Sequence, residues 1–315
     1  IDDLFLPLLG EGSVIRRALS AHAATESASL ILAVDNQLDD LPWEGLSAFS
    51  CYRGHVVRDF SAHVTGHRLV GDTLTVQGDT VRIVADPFGD DSGNTMAGSE
   101  RVSLAKHVGE LCTTVPGGSG WQPLTAGPTP GSLCLHDWVT LGSGGSSEEL
   151  RSVFVQTPGK LGGILSPREL GVLDLSRVVL FAAVDQGYND SSYRRQNTGD
   201  NVKTQAEILS EQSSRMSVLL TLAGTRVIVQ QSWAGTFMAQ QRFSKILWTQ
   251  LGAGSDVCTA AAAASVPTED EAPTPEPQEG EGEGAPSAPP RPSLKRWVAL
   301  SRSVIGAGFV GYAEK

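Results

Sequence analysis

Ser29-Leu30-Ile31-Leu32-Ala33-Val34-Asp35, followed shortly by Leu41-Pro42-Trp43-Glu44-Gly45-Leu46, is the stretch on which the reading of this chain turns. Its first half is a continuous apolar run closed by a carboxylate, the pattern of a strand buried on both faces. Its second half is a tight turn built on Pro and Trp. Outward from it, secondary structure alternates. Ser13 to Ala24 predicts a helix capped by Ser13, with Val14, Ala18, Leu19 and His22 at helical spacing. Val56 to Leu69 predicts a helix carrying Val57, Phe60, Val64 and Leu69. Leu74-Thr75-Val76 and Val81-Arg82-Ile83-Val84 read as a hairpin turning at Gly78-Asp79. Ser99 to Cys112 reads as a helix capped by Ser99.

Further on, Val115 to Ser147 is rich in Gly, Pro, Ser and Thr and reads mostly as loop. Val153 to Gln156 and Val178 to Val184 are strands, with a helical turn at Pro167 to Leu170 between them, and Tyr188 to Thr204 is a polar, mobile insertion. Glu207 to Ala223 is a helix ended by Gly224, followed by a strand at Val227 to Gln230 and a helix from Thr236 to Leu251. Strands alternating with helices predict an α/β fold, a sandwich with a mainly parallel central sheet flanked by helices. Its central strands are expected to include Leu30 to Val34, Val153 to Gln156, Val178 to Val184 and Val227 to Gln230. Ala260 to Pro292 carries almost no apolar side chains beyond alanine and reads as disordered. Arg296 to Val310 turns apolar again and reads as a closing strand. The expected organisation is a folded domain over 1–257, an acidic linker over 258–293, and a strand and tail over 294–315 that pack back on the domain.

Composition sets further bounds. The chain has 315 residues, 40% of them hydrophobic, and a net charge of −11. That is enough apolar material for a real core, in one large or two ordinary domains. An acidic balance without a basic cluster argues against nucleic-acid binding and against docking on an anionic membrane. No apolar run approaches the ~20 residues of a spanning helix. Residue 1 is Ile and no signal-peptide pattern precedes it, so the chain reads as a piece of a longer protein. Cys51, Cys112, Cys134 and Cys258 form no Cys-x-x-Cys pair and read as reduced thiols of an intracellular protein.

The opening stretch resembles the start of the CHAT and separase branch of caspase-like cysteine peptidases, in which a buried strand precedes a Leu-Pro-Trp-Glu turn. Five later segments follow in the family's order. Val84-Ala85-Asp86-Pro87-Phe88-Gly89-Asp90 resembles a separase-type strand end. Phe154-Val155-Gln156-Thr157-Pro158-Gly159 falls where the family has an apolar strand ending in Gly-His-Gly. Leu180-Phe181-Ala182-Ala183-Val184-Asp185-Gln186-Gly187 falls where it has a strand followed by Cys. Leu222-Ala223-Gly224-Thr225-Arg226-Val227-Ile228-Val229-Gln230-Gln231-Ser232-Trp233 is similar to its Leu-Ala-Gly, apolar strand and Trp. Trp297-Val298-Ala299-Leu300 resembles its closing strand. The likeness implies a caspase-like fold in which Pro158 stands at the histidine position and Val184 at the cysteine position. A gap of one residue would put Ala183 there instead. Without a thiolate and a base there is no acyl transfer, so the expectation is a pseudoenzyme with no catalytic residues.

One non-catalytic member of this superfamily closes a large protein of the axonemal central apparatus of cilia and flagella. Arg58-Asp59-Phe60-Ser61 followed by His67-Arg68-Leu69 resembles the segment after its Pro-Trp-Glu turn. That likeness implies an interaction module among other central-apparatus proteins in the axonemal cytoskeleton, with no small-molecule substrate. The alternative from the same family is an active cysteine peptidase with relocated catalytic residues.

Other candidate sites weigh less. Cys134 with His136, and Cys51 with His55, are sequence neighbours, whereas nucleophile and base meet through the fold. His63 and His67 share a helical spacing but lack the adjacent Glu of a zinc protease, and two ligands do not close a site. Gly306-Ala307-Gly308-Phe309-Val310-Gly311 mimics a dinucleotide fingerprint, yet no helix and acidic partner follow in the chain. Gly142 to Ser147 lacks the lysine of a phosphate loop and reads as a flexible linker. Trp43 and Trp233 read as packing residues rather than interface anchors, and Glu269 to Glu283 as a solvated spacer. No cofactor and no metal is expected.

Overall fold

Most of the apolar runs read from the sequence become the middle of one eight-stranded sheet in a computed structural model of the chain. The structure describes residues 5–24, 30–35, 38, 41, 43–52, 56–59, 74–77, 81–88, 104–125, 151–158, 160–186, 190–231, 237–266, 302–306 and 310–313. The strands are β1 (Leu30–Ala33), β2 (Val56–Asp59), β3 (Leu74–Gln77), β4 (Val81–Ala85), β5 (Gln122–Thr125), β6 (Arg151–Pro158), β7 (Val178–Gln186), β8 (Val227–Gln231), β9 (Arg302–Gly306) and β10 (Val310–Ala313). The large sheet has the order β1-β2-β9-β8-β7-β6-β4-β5, and β10 pairs with β3 apart from it. Adjacent strands run parallel except at β8 and β9. The sheet therefore consists of two parallel blocks of opposite direction, joined at that one antiparallel ladder.

Helices cover both faces, which is why β6, β7 and β8 read as unbroken apolar runs. On one face Phe154, Leu180, Ala182, Val184, Val227 and Val229 share a buried cluster with residues of α3 (Leu104–Thr114), α8 (Phe237–Gly252) and α9 (Val257–Ala264). Trp248 of α8 anchors it, meeting Trp121 and Phe154 edge-on with centroids 5.2 and 5.4 Å away. On the other face Val153, Val155, Phe181, Ala183 and Ile228 pack with Leu170 of α4 (Pro167–Leu170) and with Met216 and Leu220 of α7 (Ser213–Leu222). A smaller third cluster joins Leu46, Phe49, Tyr52 and Val56 to Trp43 and to Leu19 of α2 (Val14–Ala23), beyond α1 (Leu6–Leu9).

Local chemistry explains most boundaries. Ser13 caps α2, its hydroxyl accepting from Arg16 N. Ser166 and Glu169 form a capping box on α4, and Thr204 and Glu207 form another on α6 (Gln205–Ser210). Gly224 takes φ 111° after α7, a conformation that a side chain would strain.

Several expectations are corrected. Leu30–Ala33 is an edge strand with alternating exposure, not a central one buried on both faces. Val56–Asp59 is a fully buried strand rather than the start of a helix, because it lies inside the sheet between β1 and β9. β3 and β4 do not pair as a hairpin; they belong to different sheets. The stretch read as loop from Val115 contains β5 at the sheet edge. The supposed mobile insertion contains α5 (Asp190–Asp200), and the single helix expected over 207–223 is α6 and α7, divided at Glu211-Gln212. The alanine run is not linker: α9 is capped by Asp256 and buries Cys258, Ala260, Ala261 and Ala264. Alanine is short enough to let α9 lie close on α8, so a low-complexity look conceals a packing face. The linker boundary at 258 is therefore wrong by at least one helix. The closing strand is β9 over 302–306. The Ser99 cap, the Gly78-Asp79 turn, Trp233, Trp297, Cys134, His55, His63, His67, His136, Gly142 to Ser147, Gly308 and Glu269 to Glu283 lie outside the described residues.

Candidate functional site

The two positions matched to a catalytic pair stand on neighbouring strands at the C-terminal edge of the sheet's larger block, where α/β folds place their sites. Along the β6–β7 ladder Gln156 faces Val184, and Pro158 faces Gln186. Pro158 and Val184 are thus close in the fold, although two ladder steps offset them. β4 has ended by this level, its Ala85 opposite Gln156, so Pro158 has one neighbouring strand and its missing N–H is tolerable there. A pyrrolidine carries no base. Val184 is 1% exposed and belongs to the core beneath α8 and α9. Ala183, the one-residue alternative, faces the other way with the cluster containing Met216. Neither supplies a nucleophile.

Neutral amides take up this edge instead. Gln156 is fully buried, and neither its amide oxygen nor its nitrogen has a hydrogen-bond partner among the described residues. Gln230 accepts from the Ser217 hydroxyl, and Gln240 donates to Gln231. Asp86 closes β4 with φ 46°, in the left-handed region that Asp tolerates better than most residues, and its N–H donates to Gln156 O at 3.1 Å. Amides exchange hydrogen bonds but do not transfer protons near neutral pH. Sequence reasoning passed over Gln156, Gln230 and Gln231, although each closes an apolar strand run, which was a legible signal.

Beside these strands lies a small, partly enclosed cleft between Ala183 of β7 and α7, with room for about one water-sized group. Glu211 lines it from the α6–α7 turn. One Glu211 oxygen accepts from Lys203 Nζ at 2.5 Å, and the other is buried with no partner among the described residues. Gly162 makes room for this carboxylate: a Cβ there would sit 2.7 Å from Glu211 Cβ and Cγ. Lys203 also reaches Asp200 at 3.3 Å. Burial disfavours the ammonium, but the hydrogen bonds and charges of Glu211 and Asp200 outweigh it and raise the Lys203 pKa.

The remaining candidates do not converge. Burial pushes the Cys258 thiol up to about 12 and raises Cys112 as well, the opposite of nucleophile activation. His107 is buried on α3, held down to about 4 by desolvation. His22 contacts the Tyr52 hydroxyl at 3.0 Å, and no group of three or more metal-binding side chains occurs among the described residues. Trp43 is a packing residue: its indole N–H donates to Leu38 O and its ring meets Phe5 at 4.7 Å. Glu44 receives Arg58 Nε at 2.6 Å and Nη2 at 2.7 Å, so the Leu-Pro-Trp-Glu turn is clamped to β2. β1 and β2 run against the larger block, and Arg58 lies level with Phe181 of β7, three residues before Val184.

Two solved chains of the Saccharomyces cerevisiae separase–securin complex are similar to this protein. One aligns with a TM-score of 0.55 at 12% identity, over 90% of this chain and 15% of its own length. The second gives 0.54 at 12% identity, over 90% and 16%. The fold is caspase-like. It is similar to the caspase-like domain of separase, and at this identity the likeness speaks for fold alone. The chain spans about a sixth of the length of the chains it matches. No protein-family model and no curated protein sequence matches it.

Proposed function

We propose that this caspase-like domain is non-catalytic and serves as an interaction module within a large protein assembly. The observation that carries the reading is Val184: at the matched nucleophile position stands an aliphatic side chain 1% exposed and shared with the core. Pro158 at the matched base position, and the neutral amides around it, support the same conclusion. Such an edge is suited to holding hydrogen-bonding surfaces in place rather than to acyl transfer.

The finer reading is that the chain corresponds to the C-terminal region of cilia- and flagella-associated protein 46. Its partners are then other proteins of the axonemal central apparatus, and its role is to hold that assembly together and support ciliary motility. Support comes from Arg58-Asp59-Phe60-Ser61 with His67-Arg68-Leu69 in the sequence, and Arg58 is a buried structural residue of β2. An electrophilic probe for activated cysteines tests the non-catalytic reading. Cys51, Cys112, Cys134 and Cys258 are expected to react no faster than in unfolded protein. Rapid labelling of one cysteine, suppressed by replacing a single histidine, overturns it. Co-purification with central-apparatus proteins, retained when all four cysteines are replaced in a variant that still folds, tests the ciliary assignment, and its absence refutes that assignment.

A further inference from the structure

The end of the sheet at which β7 and β8 begin carries charge opposite to that of the chain as a whole. Arg177 immediately precedes β7, and Arg226 immediately precedes β8, its neighbour in the sheet. The segments leading into these strands touch. Leu175 N donates to Ala223 O at 2.7 Å, and a Cβ on Gly224 would fall 2.7 Å from Ser176 N. α4, which bears Arg168 one turn before Val172, packs against α7. Arg215 lies two turns before Leu222 on the same side of α7. All four arginines are exposed, and no ion pair among the described residues includes any of them. Residues 167–177 and 215–226 hold just two carboxylates. Glu169 is engaged by Ser166 and Asp174 accepts from Ser176 N. The corner is therefore net positive within a chain of net charge −11.

Among these charges Val172 and Leu222 stand 77% and 74% exposed. A lone exposed aliphatic side chain is ordinary, but two beside four arginines make a surface of docking composition. Guanidinium groups match carboxylates with paired hydrogen bonds, and the aliphatic side chains call for apolar cover. A nucleic-acid backbone brings anions without that cover, and the negative charge of the rest of the chain opposes an anionic bilayer.

We propose that this corner docks an acidic segment of a partner protein, one in which aspartate or glutamate is interspersed with aliphatic side chains. The proposal deepens the interaction-module reading and rests on it for the source of that segment. The probe is a fluorescein-labelled peptide, Glu-Glu-Leu-Glu-Glu-Leu-Glu-Glu, titrated with the full chain and followed by anisotropy. Saturable binding is expected, weakening as salt rises. Arg177→Glu with Arg226→Glu should weaken it about tenfold or more, and Leu222→Ser should weaken it without changing net charge. These are surface positions, so the variants should fold, which an unchanged urea midpoint checks. Arg17→Glu with Arg194→Glu reverses two exposed arginines elsewhere and should leave the affinity within about twofold. Equal weakening by the two double variants overturns the proposal, as does equal affinity for a peptide with Gly in place of Leu. No saturable binding overturns it too, and so does tighter binding to a short DNA duplex or to phosphatidylserine vesicles, which would make the corner a phosphate-binding surface. A double variant that loses the peptide yet still co-purifies with central-apparatus proteins overturns the corner's part in that assembly and leaves the interaction-module reading standing.

Discussion

Replacing Arg58 should open the N-terminal layer of the domain while leaving the rest of the sheet closed. Arg58 and Glu44 have side chains only 6% and 13% exposed, joined at 2.6 and 2.7 Å, and Arg58 also donates to Leu41 O. In Arg58→Met the aliphatic stem still packs, but Glu44 keeps a charge in a site that excludes water. Breaking one side of such a pair costs roughly 3–5 kcal/mol. Glu44→Gln retains one acceptor and loses the charge, so it should cost less, about 1.5–3 kcal/mol. The double variant should be more stable than the sum of the two predicts, because the second change removes the stranded charge. Cys51 reports the opening locally, since it packs against the same small cluster and is not fully exposed. Site-resolved alkylation under native conditions should speed up on the order of 10²-fold or more in Arg58→Met, each 1.4 kcal/mol being tenfold. Labelling of Cys112 and Cys258 should barely change. A Cys51 rate within about threefold of wild type would refute the clamp.

His107 predicts an acid dependence. Burial lowers its folded pKa from 6.5 to about 4, with Glu110 opposing the shift and Lys245 adding to it. Between those values the unfolded chain takes up a proton that the folded chain refuses, so stability is present above pH 6.5 and is lost as pH falls toward 4. His107→Met should flatten the slope of denaturation free energy against pH across that window. Ala260→Leu should destabilise by about 1–3 kcal/mol in urea unfolding, because Ala260 has no exposed surface where α9 meets α8. A neutral result there would return the segment to linker. Gly224→Ala should cost about 1–3 kcal/mol or more, since φ is 111° and the new Cβ would lie 2.7 Å from Ser176 N, a backbone atom that cannot step aside cheaply.

The central strands were legible because burial on both faces demands unbroken apolar residues, and β6, β7 and β8 have them. The edges were not. Leu30 to Val34 is as apolar as β8, yet it borders solvent at Ile31, and nothing local separates the two cases. Val56 to Asp59 was misread because Arg58 and Asp59 are charged residues inside a sheet. The burial of Arg58 depends in part on Glu44, fourteen positions earlier, which no periodicity reveals. The α9 helix was hidden by composition: alanine followed by acidic and Pro-rich sequence looks like a linker until a neighbouring helix needs small residues. At the candidate site the sequence showed that Pro158 and Val184, the positions matched through the resemblance, carry neither a base nor a nucleophile. The gain, a buried carboxylate held by Lys203 and admitted by Gly162, required three separate segments to meet.

β9 has a bearing on how the domain is made. It lies between β2 and β8, joining the two blocks of the sheet, yet it comes later in the chain than every other strand of that sheet. Until residues 302–306 arrive, the β1–β2 pair has no strand to link it to β8. A nascent chain emerging from the ribosome can therefore assemble the five-stranded block early, but must leave the edge of β2 away from β1, at Arg58, unpaired while some 240 further residues are synthesised. Such an open edge is a sticky one. A chain ending before residue 302 would therefore leave the two blocks of the sheet unjoined, with β2 and β8 both presenting open edges.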